Sequence, residues 1–136
     1  MLDIEKITND LKQDEGFRDK VYTCSAGKQT IGYGWNLEAN DLPEPIAARM
    51  LDYGIGMAMR DCESLDWFYP LNGARKAVII NMMFNMGKSR LLGFKKMIAA
   101  LDSHDYQTAA YEMMDSRWYC QTGFRAARLI EEMREG

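Results

Sequence analysis

The sequence is poor in the side chains that hold metals, with one histidine and three cysteines in 136 residues. Cys24, Cys62 and Cys120 are odd in number, irregularly spaced and form no Cys-x-x-Cys pair, so neither a disulfide framework nor a zinc site is expected. The lone His104 lies in Asp102-Ser103-His104-Asp105, which reads as a polar turn between helices rather than a ligand. Apolar runs such as Ala77-Val78-Ile79-Ile80 are far too short to span a membrane, so no stable membrane insertion is expected. The N-terminus, beginning Met1-Leu2-Asp3-Ile4-Glu5, is acidic and amphipathic, unlike a secretory signal, and synthesis in the cytoplasm is the expectation. Also missing are internal repeats, low-complexity tracts and a basic excess. The net charge of −3 gives no reason to expect nucleic acid as a partner.

What is present describes one globular domain over residues 1–136, long enough to bury about two-thirds of its unfolded surface. The apolar share is 47% and the charged share 27%. Eleven methionines are expected to act as adaptable filler on helices. Charge is uneven: residues 1–68 carry thirteen acids and seven bases, and residues 69–136 carry seven acids and ten bases. That split suits a cleft between an acidic and a more basic lobe.

The chain is organised around Asp14–Trp35. Ile4, Ile7 and Leu11 recur at helical spacing ahead of it, and Glu15-Gly16 places a carboxylate at a helix end before a residue that breaks helices. Val21-Tyr22 and Gln29-Thr30-Ile31 then read as short strands around a Ser25-Ala26-Gly27-Lys28 turn. Gly32 and Gly34 alternate with Tyr33 and Trp35, so backbone and rings both come close to whatever lies there. One carboxylate at the mouth of a small hairpin suits a polymeric ligand lying across it.

Farther on, Pro43 and Pro45 mark the start of a helix that runs to about Cys62 and is weakened by Gly54 and Gly56. Trp67, Phe68 and Tyr69 form an aromatic cluster expected to pack internally. Asn72 caps a helix to about Met86, stopped by Gly87 and apolar on most faces, which is expected to be a central buried helix. Gly93–Leu101, Tyr106–Met114 and Thr122–Arg134 read as further helices, the last capped by Thr122.

Glu15-Gly16, Tyr22, Gly27 and Thr30-Ile31-Gly32-Tyr33-Gly34 resemble the signature of the phage-type lysozymes. The resemblance resumes at Ile80-Asn81-Met82, Phe84, Met86-Gly87 and Gly93-Phe94, and again at Ser116-Arg117-Trp118-Tyr119, Gln121-Thr122 and Arg125-Ala126. Three ordered blocks cover nearly the whole chain. The resemblance implies an α+β, mainly helical fold of two lobes. A small β-hairpin lobe would span about 15–42, a long connecting helix about 45–62, and a helical lobe about 70–136 together with the N-terminal helix. It implies a glycoside hydrolase, a muramidase cutting the β-1,4 bond between N-acetylmuramic acid and N-acetylglucosamine of peptidoglycan. No metal or cofactor is implied. The expected partner is the glycan strand of the wall, reached by a monomer through a holin-like membrane pore during host lysis.

Cleaving a glycosidic bond needs a proton for the leaving oxygen, and Glu15 is the candidate general acid. The resemblance pairs Arg125 with it, gives Thr30 a water-positioning role and places Phe84 against substrate. Arg117 is expected to tie the Trp118-Tyr119 turn to neighbouring backbone. Two positions depart from the family pattern: Cys24 stands for an aspartate and Trp35 for a histidine. A thiol is a poor electrostatic stabiliser unless it ionises, and a nearby carboxylate would raise its pKa. Three readings of Cys24 therefore stand open. It is a thiolate nucleophile or base; or it fills the aspartate's space while Glu15 and a Thr30-bound water act; or the site is degraded or runs transglycosylation through the sugar's own 6-hydroxyl. Asp19 and Glu38 are nearby carboxylates off the motif. Asn36, Met97 and Glu112 stand where the family has other substrate-contacting side chains. A lytic transglycosylase and a non-catalytic wall-binding module are the competing functions.

Overall fold

A computed structural model describes all residues, 1–136. It is mainly α-helical with one small antiparallel sheet, an α+β fold of lysozyme-like composition. The chain divides into two compact units, Met1–Arg49 and Met50–Gly136.

The first unit opens with α1 (Ile4–Glu15). The Asp3 carboxylate accepts from the Lys6 amide at 2.9 Å and so caps one of the otherwise orphaned N–H groups. At the far end Gly16, at φ 70°, lets the chain turn sharply, and its N–H closes on the Lys12 carbonyl. None of the residues of α1 is buried, Ile4, Ile7 and Leu11 included. The sheet follows in the order β1 (Arg18–Thr23), β2 (Gln29–Gly32), β3 (Trp35–Asn36), all antiparallel. Tyr22 opposes Thr30 and Ile31 opposes Trp35. An irregularity between Arg18 and Tyr22 shifts the register of β1 against β2. Both expected strands are present and longer than read. The third, two residues long, is too short for alternation to announce it.

A 20-residue helix, α2 (Glu44–Glu63), carries the boundary between the units. It continues without a break through Gly54 and Gly56, because two glycines lower helix propensity without removing a hydrogen-bond donor.

The second unit holds the core. After a 3-10 turn at Asp66–Phe68, the chain forms α3 (Gly73–Met86), α4 (Lys88–Leu92), α5 (Lys95–Asp102), α6 (Tyr106–Met114), α7 (Arg117–Thr122) and α8 (Phe124–Glu135). Asn72 caps α3 as expected, its side chain accepting from the Arg75 amide at 2.9 Å. Trp67 and Phe68 are buried, whereas Tyr69 is exposed and its hydroxyl donates to the Glu63 carbonyl. Helix α6 packs between α5 and α8, and α3 packs on α8 and α4. Val78, Ile79, Met82 and Met83 bury one side of α3, but Ala74, Ala77 and Phe84 are exposed, so this helix is not buried all round. Five of the eleven methionines (Met82, Met83, Met97, Met113 and Met133) fill this core.

Three expectations at the C-terminal end are corrected. Thr122 does not cap α8; it ends α7, and Gly123 precedes α8 with no side-chain cap. Ser116 is the cap that matters there, accepting from the Tyr119 amide at 3.2 Å and starting α7 where a turn was read. Arg117 is not tied to neighbouring backbone but lies exposed at the first position of α7.

Candidate active site

In the first unit the C-terminal end of α1 and the β2–β3 turn converge on Glu15. A Cβ placed on Gly34 would lie 2.8 Å from the Glu15 Cδ and 3.3 Å from its Cγ, and closer still to Oε2. The carboxylate therefore rests on the Gly34 backbone, in a space that any side chain would fill. Gly34 is also at φ 70°, where an L residue is strained. The rings of Phe17 and Tyr33 lie 5.5 Å apart, centroid to centroid, and the Lys12 Nζ sits 5.7 Å from the Tyr33 centroid. Glu15 is exposed to solvent and accepts no hydrogen bond within the chain, so its oxygens are free for a ligand.

Cys24 and Thr30 are brought together by the β1–β2 turn. The Cys24 amide donates to the Lys28 carbonyl at 2.9 Å and the Gly27 amide to the Cys24 carbonyl at 2.8 Å, which folds the turn tightly. The half-buried Cys24 sulfur faces backbone donors from Lys28 and Ala26 and the Thr30 hydroxyl, in that order of effect, and these hold its pKa below the ordinary cysteine value. This differs from the sequence expectation of an upward shift from a neighbouring carboxylate. Backbone N–H groups of a turn are invisible in side-chain identities, and they win here. Thr30 is the one buried polar residue, and its hydroxyl has two acceptors in reach: the Lys28 carbonyl at 2.9 Å and the Cys24 sulfur. Of the off-motif carboxylates, Glu38 is occupied, accepting from the Gln29 amide at 2.8 Å, whereas Asp19 is an exposed strand residue.

In the second unit Phe84 is 46% exposed on α3, with its ring against Gly54 of α2, where an added Cβ would lie 2.6 Å from Cε2. The glycine that weakens α2 thus makes room for this ring, and Phe84 is not a core residue. Arg125 on α8 donates from Nε at 2.9 Å and from Nη2 at 2.6 Å to one atom, the Asn81 Oδ1. Trp118 Nε1 donates to Asn85 Oδ1 at 3.2 Å. Beside that pair a pocket of about 770 Å³ is open to solvent, bordered by Arg90, Lys95, Lys96, Arg117, Glu112 and Asp115. None of these six side chains makes an ion pair; the three in the chain are Lys6–Asp10, Arg128–Glu132 and Arg134–Glu131. Sequence reading missed this pocket, because its lining comes from six separate stretches. Met97 is fully buried beneath it.

The remaining titratable candidates are structural. Cys62 is buried and its pKa is pushed up to about 11, chiefly by burial and then by Asp61 and Glu63, which makes it an inert thiol. His104 is exposed at φ 57° with Nδ1 3.3 Å from the Tyr106 hydroxyl, in the expected turn. No group of three His, Cys, Asp or Glu side chains could hold a metal ion, and no helix is long and apolar enough to cross a membrane.

A mainly helical chain with one small antiparallel sheet, its Glu15 carboxylate seated against a glycine turn, has a lysozyme-like fold. The family description "Phage lysozyme" matches residues 12–134, and the chain belongs to that family. Among its relatives is "Probable T4-type lysozyme 1" of Dictyostelium discoideum, 28% identical over 98% of this chain and 96% of that protein. "Probable T4-type lysozyme 2" of the same organism is 26% identical with the same coverage. The "Pre-baseplate central spike protein Gp5" of Enterobacteria phage T4 is 28% identical over 88% of this chain, but over only 26% of its own length.

Proposed function

We propose that this lysozyme-family protein is a peptidoglycan muramidase that hydrolyses the β-1,4 bond between N-acetylmuramic acid and N-acetylglucosamine, with Glu15 as general acid. The observation that carries the reading is the seat of the Glu15 carboxylate on Gly34, beside a hairpin bearing the family motif. Glu15 gives its proton to the glycosidic oxygen as the bond from C1 to that oxygen breaks. Water attacks C1, and its proton passes to the Cys24 thiolate, whose formation the Lys28 and Ala26 amides favour. Of the three readings of Cys24, the thiolate, as base or nucleophile, is the one its lowered pKa supports, and the base is written here. Thr30, within reach of the sulfur, orients that pair. Phe84 offers its exposed ring to substrate. The six unpaired charges of the pocket in the second unit suit the peptide branches of the wall polymer, which carry both carboxylates and amines. Acting as a monomer made in the cytoplasm, the protein reaches the wall through a holin-like pore.

The deciding experiment is clearing of a peptidoglycan suspension, with mass spectrometry of the products. Wild type should clear it and leave reducing ends, and Glu15→Gln should not clear it. Products ending in 1,6-anhydro sugars would assign a lytic transglycosylase instead. Wall binding without clearing by wild type would assign a binding module. A base at Cys24 gives inversion at C1 and a covalent thioglycoside gives retention, which NMR of fresh product distinguishes.

A further inference from the structure

Strand β1 takes four steps where β2 takes two, since Arg18 opposes Gly32 and Tyr22 opposes Thr30. In a regular strand Arg18 and Tyr22 would stand about 13 Å apart, at roughly 3.3 Å per residue. The extra residues shorten that span, and the Arg18 Cζ lies 4.3 Å from the centre of the Tyr22 ring. A contact that close puts both side chains on one side of β1. Opposed residues of an antiparallel pair share a face, so this is the side of Thr30, whose hydroxyl reaches the Cys24 sulfur.

The ring holds the plane of the guanidinium, because its negative face attracts a stacked cation, and it uses none of the N–H donors. Arg18 is exposed, and the ion pairs of the chain lie elsewhere. Opposite it the ledge is bare: a Cβ on Gly32 would meet no atom within 4 Å. A planar fork of donors, fixed beside open space, is the form in which arginine takes a carboxylate through two parallel bonds.

We propose that Arg18, held by Tyr22, is a substrate-binding residue that takes a carboxylate of the wall glycan and so selects an anionic strand over a neutral one. The proposal rests on the muramidase reading and names the part of the substrate recognised. In that polymer a carboxyl ends the lactyl ether of N-acetylmuramic acid or, where a peptide is attached, belongs to the peptide. N-acetylglucosamine has none.

The test is a calorimetric titration of the full chain carrying Glu15→Gln, which stops turnover, with and without Arg18→Gln. The probes are a neutral N-acetylglucosamine tetramer, a peptide-free fragment of the alternating strand, and the same fragment with its peptides. The peptide-free fragment should bind about tenfold or more tighter than the tetramer, and Arg18→Gln should abolish the difference. A preference confined to the peptide-bearing fragment, and lost in Arg18→Gln, supports Arg18 and places the carboxylate on the peptide. Equal binding of all three probes, or a preference that survives Arg18→Gln, overturns the proposal.

With Glu15 in place, Arg18→Gln and Tyr22→Leu should raise KM on peptidoglycan about five- to tenfold, with kcat within about twofold, and Tyr22→Phe should keep the wild-type KM. If Tyr22→Leu does not fold, the surface change Arg18→Gln decides. A merely structural stack would lower Tm in Arg18→Gln and leave KM unchanged, which also overturns the proposal. A wild type that fails to clear peptidoglycan removes the muramidase reading, while the titration still decides what Arg18 binds.

Discussion

The two units of this protein are stabilised in contrasting ways. Among residues 1–49 a single side chain is buried, the polar Thr30, whereas residues 50–136 bury twenty-one apolar ones. The first unit is held by caps, a tight hairpin turn and backbone hydrogen bonds, most of them exposed. The second is held by packing, with Ile79, Met82, Leu91, Met97 and Met113 all but sealed from solvent. Yet the less buried unit carries the carboxylate and the thiol that the proposed chemistry uses. Local opening is easiest where few apolar contacts exist, and functional loops are drawn from such regions. The comparison teaches that the buried core and the proposed acid and thiol occupy different stretches of the chain.

The sharpest way to break this division is to remove the chemistry without touching the core. Glu15→Gln should lose about 10²–10⁴-fold in kcat with Tm unchanged, the span expected for a general acid. Lysis rate and thermal melting check it together, and a falling Tm would mean that Glu15 is structural. In the other direction, Met113→Ala should cost about 2–5 kcal/mol, as large-to-small changes in a sealed core do. Chemical denaturation measures it, and a cost near zero would mean that the core is loose. Gly34→Ala sits between the two. It displaces the Glu15 carboxylate and strains the turn, so activity should fall about tenfold or more while stability falls by only about 1 kcal/mol.

Smaller effects sharpen the contrast. The Cys24 thiol should be alkylated with a midpoint pH below that of free cysteine, and Thr30→Val should move the midpoint upward by removing a donor to the sulfur. An unmoved midpoint would leave the thiol's environment to the backbone amides alone. The smallest effect concerns Asp105, whose carboxyl is held below the ordinary range by bonds from the Thr108 hydroxyl and amide. A lowered native pKa adds stability above the unfolded-state value that is lost as pH falls through the native one. Asp105→Asn should therefore flatten the acid side of the Tm-against-pH curve, and an unchanged curve would mean that this cap contributes nothing.

Local signals carried most of the elements. Asn72 before an apolar run and Gly87 after it marked α3 within a residue, because caps and stops act on their own neighbours. The same reasoning failed at Thr122, where two helices meet end to end and Ser116 is the cap that counts. It also missed β3 and α4, each too short for a periodicity to form. At the candidate site, Glu15 and Thr30 were legible as parts of a motif, Cys24 as a departure from it, and the carboxylate was expected at the hairpin mouth. The direction of the Cys24 shift was not legible, since it comes from amides whose residues are Lys28 and Ala26 only incidentally.

By itself, then, the order of residues announced the family, through three ordered blocks, and the mixed fold, and it put Glu15 at a helix end and Cys24 and Thr30 around one turn, because those placements rest on spacing within a few turns or strands. Only the tertiary structure decided that Gly34 is the seat of a carboxylate, that Gly54 gives way to a phenyl ring, and that Asn81 holds Arg125 across forty-four residues. Those are contacts between segments distant in sequence. Their partners are chosen by how helices and turns pack, which local side-chain pattern does not encode.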